Sequence, residues 1–358
     1  MCLITANKIG GSMKRSKRIA CFRFKNLVVG MLISATVGLG FGSQSVVAEE
    51  IVGRLSYHWG PKHTAAGYAV QFAEEVNKRA KGRLRIDVYP SGQLFGIKEI
   101  VGALKAGSVE MGAIIGIVGF PTVVKDFNIA SFPGMFESLE HQRSFFQNTP
   151  EGSKLWKDTL AKTNTKLVMY DPVGPVLTCS VSSKLDTVAS YKGLKARRLF
   201  GTEKPLWKAL NVDYQKLGTK GVYTALQTGM VDTVNTVPNG VRTYGWWEFL
   251  KYCQLPYQSY ADSYLMANGD WFNGLPKDLQ DLVLEVGDEI GKVASEGIMA
   301  ASAQVLEEFT SQHGGTVTVM QGAAKEEFDQ LLKTKVFPAL AGMVSPAVLK
   351  AAQDHRAN

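Results

Sequence analysis

The stretch LRIDVYPSGQLFGIKEIVGALKAGSVEMGAIIGIV, residues 84–118, decides the fold. Leu84, Ile86 and Val88 alternate with polar neighbours, the period of a half-buried strand, and Pro90-Ser91-Gly92 supplies the turn that ends it. Ile97, Ile100, Val101 and Leu104 then recur at helical spacing until Gly107 stops them. From 109 to 118 the chain is almost continuously apolar, as a strand covered on both faces must be. Upstream, residues 51–58 read as a strand with a β-branched start. Residues 65–81 place Tyr68, Ala69, Phe72, Val76 and Ala80 on one helical face, with Gly82 as the stop. The order βαβαβ predicts an α/β lobe with a mostly parallel sheet.

A second block follows. Residues 165–170, 176–181, 194–200 and 231–234 are strand-like, and 222–229 forms a short helix capped by Gly229. Asp171-Pro172-Val173-Gly174 is the natural crossover between two such blocks. Pro276 opens a long helix, with Leu279, Leu282, Val283, Val286, Ile290, Val293, Ile298, Ala301 and Val305 in its apolar stripe. At 1.5 Å per residue a helix of about 37 residues reaches ~55 Å, more than one lobe of this size, so it is expected to span both. Gly291 and Gly297 are read as points where it bends.

The chain has 358 residues, 45% hydrophobic and 20% charged, which allows two soluble lobes. Its formal charge of +8 comes from the N-terminus. Residues 1–48 hold seven basic side chains and no acid, which leaves 33 basic against the chain's 32 acidic residues in the remainder. A body so nearly neutral offers nucleic acid no field. The same 48 residues are ordered as a signal peptide: basic from Lys14 to Lys25, apolar from Leu27 to Phe41, then Val46 and Ala48 as the small residues of a cleavage site. The apolar run is too short to span a bilayer. Export to the periplasm with cleavage after Ala48 is expected, from a start at Met1 or Met13. Cys179 and Cys253 remain after cleavage, either as a disulfide or as two buried thiols.

Catalytic signatures are missing. The five histidines show no zinc-protease spacing, no Cys/His cluster has metal-ligand spacing, and no nucleophile elbow or phosphate loop appears. The expectation is a protein that is not an enzyme, with no cofactor and no metal.

Four segments carry a resemblance. YPSGQLFGIKEIVGALKAGSVEMG (residues 89–112), YKGLKARR (191–198), VYTALQTGMVD (222–232) and WFNGLPKDLQDLV (271–283) stand in an order and spacing similar to the substrate-binding proteins of TRAP transporters, the tripartite ATP-independent periplasmic systems. The resemblance covers nearly all of residues 51–350. It implies a two-lobed periplasmic binding protein fold with a hinge. Its boundaries would be 49–174 and 255–292 for lobe I, and 175–254 and 293–358 for lobe II. It also implies a small-molecule carboxylate ligand and TRAP permease subunits as partners, with a monomer expected and a dimer the alternative. A binding protein for an ABC-type transporter, or one associated with a sensor, is the rival reading.

In the resemblance, Arg197 is the carboxylate clamp. A planar guanidinium can make two parallel charge-assisted bonds, and strand alternation turns Arg198 the other way. Asn235 is expected at the cleft and Asp232 in a structural role. Tyr57, His58 and Trp59 end the first strand, where α/β sheets place ligand contacts, with core packing the plainer role for Trp59. Trp246 or Trp247 walls the pocket or packs under the long helix. The sequence departs from the family pattern at Val176, where many members carry a second arginine, at Leu199 and at Asp232-Thr233. A missing second clamp favours a monocarboxylate over a four-carbon dicarboxylate.

Overall fold

The β-branched start at 51 and the alternation at 84–88 become two paired strands. A computed structural model describes residues 49–357 and opens with β1 (Ile51–Ser56), helix Thr64–Ala80, β2 (Leu84–Tyr89), helix Ile100–Lys105 and β3 (Met111–Ile115). β1 lies between β2 and β3 and is parallel to both. The apolar run from 109 does not stay a strand to 118. It turns into a short helix at Gly116–Gly119, where a Cβ on Gly116 would sit 2.6 Å from the Tyr264 ring.

After helices Leu139–Asn148 and Pro150–Thr163, β4 (Thr165–Tyr170) completes the first lobe's run of strands. The chain then crosses at residues 171–173 into β5 (Gly174–Ser180), β6 (Lys195–Arg198), β7 (Asp213–Lys216), β8 (Thr233–Thr236), β9 (Tyr252–Leu255) and β10 (Ser259–Ala261). At Asp262 it returns into β11 (Ser263–Asn268), and β12 (Thr316–Val319) follows the long helix. The first sheet has the order β2-β1-β3-β11-β4, and the second the order β12-β9-β5-β8-β6-β7, with β10 pairing β5. The molecule is thus a two-lobed α/β protein. Both sheets are mixed, because β11 runs antiparallel to β3 and β4, and β5 antiparallel to β8 and β9.

The return crossover lies later than position 255, because β10 still belongs to the second sheet. The final helix, Pro346–Ala357, expected in the second lobe, packs on helix Pro150–Thr163 and the 125–131 turns of the first lobe, while its Arg356 reaches Asp329 and the Phe337 ring. Residues 1–48, read as a signal peptide, lie outside the described residues. Among the described residues no helix is long and apolar enough to cross a membrane.

The long helix runs from Lys277 to Ser311, 35 residues. It packs on helix Thr64–Ala80 and β4 in one lobe and on β5, β12 and helix Pro238–Thr243 in the other. Its glycines serve close approach. A Cβ on Gly287 would lie 2.1 Å from the Val168 carbonyl oxygen, and one on Gly297 would lie 1.9 Å from the Tyr68 hydroxyl. Gly291 would come within 3.3 Å of the Tyr170 backbone. Cys179 and Cys253, directly opposed on β5 and β9, form a disulfide.

Candidate functional site

Strand directions bring the site together. β4 runs parallel to β1 and β3, being antiparallel to β11 as β3 is, so Ser56, Ile115 and Tyr170 end at one edge of the first sheet. β5 starts directly after the crossover. Its antiparallel neighbour β8, and β6 parallel to β8, therefore end at the edge of the second sheet nearest that crossover. Residues that follow the carboxyl ends of strands in both lobes thus flank the two crossovers, where open α/β sheets bind ligands.

Arg197, near the end of β6, is 2% exposed. Its Nε donates to the Leu217 carbonyl at 3.0 Å, Nη1 to the Asn235 carbonyl at 2.8 Å and Nη2 to Thr219 Oγ1 at 3.4 Å. A guanidinium has five N–H donors, so two remain, one on each terminal nitrogen. Among the described residues no carboxylate forms a salt bridge with it. Burial pulls its pKa down and Glu203 opposes this, so the group is a desolvated cation held by neutral oxygens. Arg198 is less buried, as alternation requires.

Asn235 is 1% exposed, and its amide is engaged inside the protein. Oδ1 accepts from Thr178 Oγ1 at 2.7 Å, and Nδ2 donates to Glu203 Oε1 at 3.0 Å and to Gln258 Oε1 at 3.2 Å. Glu203 also accepts from the Leu199 and Phe200 backbone N–H groups at 2.6 and 3.1 Å. Burial raises the Glu203 pKa, against the pull of those bonds. Asn235 therefore ties β8, β5 and the turn after β6 into one frame, and its backbone carbonyl helps seat Arg197. Asp232 is structural: its carboxylate accepts from the Lys195 N–H at 2.8 Å and from Thr233 Oγ1 at 2.9 Å.

In the first lobe Tyr57, His58, Trp59 and His63 form an aromatic cluster. His58 and Trp59 have ring centroids 4.4 Å apart, and Trp59 stacks on His63 at 5.6 Å. Tyr57 and Trp59 are 3% and 4% exposed, so both pack in the core as well as ending the strand. Burial pushes His58 and His63 down to about 4. His58 Nδ1 is buried without a partner, while His63 Nδ1 accepts from the Ala65 N–H and caps helix Thr64–Ala80. Trp246 is 1% exposed within the second lobe's core, stacked on Tyr244 at 5.2 Å, with its Nε1 unpartnered. Trp247 stacks on His313 at 3.9 Å instead.

Several residues at these edges were not singled out from sequence. Glu203, Gln258 and Thr178 complete the frame around Asn235, and their mutual contacts cross wide gaps in the chain. Asp171 sits in the first crossover, completely buried. An Asp-Pro pair there reads as turn chemistry, so no pattern marked it as a site residue.

Two α/β lobes joined by paired crossovers, with polar side chains at the facing strand ends and a buried unpaired cation, define a two-lobed solute receptor. The chain belongs to the bacterial extracellular solute-binding protein family 7, DctP, whose profile matches residues 55–338. It is 29% identical over 276 residues to the C4-dicarboxylate-binding periplasmic protein DctP of Rhodobacter capsulatus, covering 75% of this chain and 81% of the relative. Among solved structures it is similar to a TRAP periplasmic solute binding protein from Ochrobactrum anthropi, whose C-terminus is bound in its ligand-binding pocket. That match has a TM-score of 0.77 and 19% identity, over 86% of this chain and 95% of that one. It is also similar to the sugar acid binding protein DctPAm of Advenella mimigardefordensis in complex with galactonate, with a TM-score of 0.76 and 18% identity, over 87% and 99% of the two chains. The family and fold are those of solute receptors.

Proposed function

We propose that this protein captures a small organic acid between its lobes and delivers it to a TRAP-type membrane permease. Arg197 carries this reading. A guanidinium buried to 2% exposure, with no ion-pair partner among the described residues and two N–H donors to spare, is costly unless an anion arrives. Neutral oxygens hold it from behind, so its geometry is set before the ligand comes. Asn235, Glu203 and Gln258 fix that backing, and Tyr57, His58 and Trp59 close the site from the first lobe. Trp246 stiffens the second lobe behind Tyr244.

The Rhodobacter relative's C4-dicarboxylate and the galactonate of the Advenella protein are both carboxylates, which supports the ligand class. In this reading residues 1–48 direct export and are removed after Ala48, and the monomeric receptor works in the periplasm. A thermal-shift panel of organic acids, followed by calorimetry of each hit, tests it. Wild-type protein should bind at least one carboxylate, and Arg197→Ala should weaken it by about 30-fold to several thousand-fold, since losing a buried charge-assisted pair costs roughly 2–5 kcal/mol. Full binding by a folded Arg197→Ala protein would refute the clamp.

A further inference from the structure

The first crossover holds a second buried ionisable group with nothing to pair it. Asp171 follows β4, at the carboxyl edge of the first sheet, and is 0% exposed. Neither of its carboxylate oxygens has a hydrogen-bond partner. Buried carboxylates are ordinarily paired, and this protein does pair the neighbouring one. Asp262, in the return crossover and 1% exposed, receives Arg143 Nε at 2.7 Å and Nη2 at 2.8 Å. No such cation reaches Asp171 among the described residues.

Its surroundings are rings and hydroxyls. The Tyr57 and Tyr68 phenols both feel the Asp171 charge, which adds to the burial that raises their pKa values. Ser263, whose carbonyl accepts the Asp171 N–H at 2.9 Å, has a buried Oγ with no partner. The Ser302 Oγ, on the long helix beside Gly174, is equally unpaired. Burial, and then the Asp262 charge, hold Asp171 well above the usual carboxylate range.

We propose that Asp171 receives a cationic nitrogen of the ligand, so that the transported acid is an amino carboxylate held by Arg197 at one end and Asp171 at the other. This rests on the reading of Arg197 as the carboxylate anchor. An ammonium suits these groups chemically: it brings a positive charge and three N–H donors for unpartnered oxygens, and phenol rings favour a cation nearby. A second carboxylate brings no positive charge to match Asp171, and Val176 offers no cation to hold it. A hydroxyl can hydrogen-bond the Asp171 carboxyl but brings no charge to it.

The test uses protein purified from the full-length gene and needs no variant to begin. Calorimetry compares 2-aminobutyrate, 4-aminobutyrate, leucine and phenylalanine with the hydroxy acids of the same carbon skeletons, and with succinate and malonate. The best amino acid should bind about 30-fold or more tightly than its hydroxy counterpart, and Asp171→Asn, shown folded by thermal melt, should shrink that ratio to below about threefold. Wild-type protein that binds a hydroxy acid or a dicarboxylate as tightly as any amino acid overturns this proposal and leaves the organic-acid receptor standing. An amino-acid preference that survives in a folded Asp171→Asn protein overturns it too. Failure of every carboxylate in the set to bind removes both readings together.

Discussion

Arg197 and Arg198 are consecutive on β6, yet their environments differ because a strand turns alternate side chains to opposite faces. Arg197→Lys should lose most of the affinity, since an ammonium keeps the charge but not the planar fork that spans two carboxylate oxygens and two backbone carbonyls. Arg198→Ala should leave binding nearly unchanged, and calorimetry on both variants checks the pair. His63 gives a separate prediction. Its pKa is pushed from 6.5 to about 4 by burial, so below pH 6.5 the unfolded chain takes up a proton that the folded chain refuses. The neutral ring's contribution is complete above pH 6.5 and is lost as pH falls towards 4, about 3 kcal/mol in all. Asparagine can still cap the helix, so His63→Asn should be less sensitive to acid than wild type in urea melts between pH 7 and 4. Equal pH slopes would contradict it. The strand position of Arg197 was legible from the glycine-stopped turn before it, while its proposed role as a clamp comes from the resemblance. Asp171, Glu203 and Gln258 were not legible, because burial and missing partners are properties of the assembled lobes and no local pattern encodes them.

Elements with strong periodicity were read well. The stripe from Leu279 to Val305 located the long helix, alternation located β2, and a β-branched start located β1. β7, β10 and β12 are three or four residues long and owe their existence to distant partners, so no local signal betrays them. Gly291 and Gly297, expected as bending points, also pack closely, as Gly287 does. Gly287→Ala should therefore destabilise the protein by about 1–3 kcal/mol, since its methyl would strike the Val168 carbonyl. Gly102→Ala, in helix Ile100–Lys105 with nothing within 4 Å of the added methyl, should stabilise by about 0.5–1 kcal/mol. Denaturant melts of the two variants should move in opposite directions, and a shared direction would undo the packing argument. The disulfide joins β5 to β9 across 74 residues, a pairing the sequence left open. Replacing both cysteines by alanine should cost about 4 kcal/mol, chiefly by freeing the unfolded chain, and a change under 1 kcal/mol would argue against that origin.

The two lobes are joined by crossovers at 171–173 and Asp262 and bridged by the long helix, a geometry in which a ligand can favour closure only by touching both sides. They already meet at Ser131 and Thr202, whose hydroxyls are 2.9 Å apart, and where the Gly134 N–H donates to the Gln258 carbonyl at 2.6 Å. Arg197 belongs to one lobe and the Tyr57–Trp59 strand end to the other, so under the proposed function a carboxylate held between them would link the lobes. Small-angle scattering on wild type and Arg197→Ala, each with and without a saturating organic acid, tests this most directly. The account predicts a smaller radius of gyration in ligand-bound wild type, with unchanged secondary structure, and no contraction in Arg197→Ala. An unchanged wild-type radius at saturation, or an equal contraction in the variant, would contradict it.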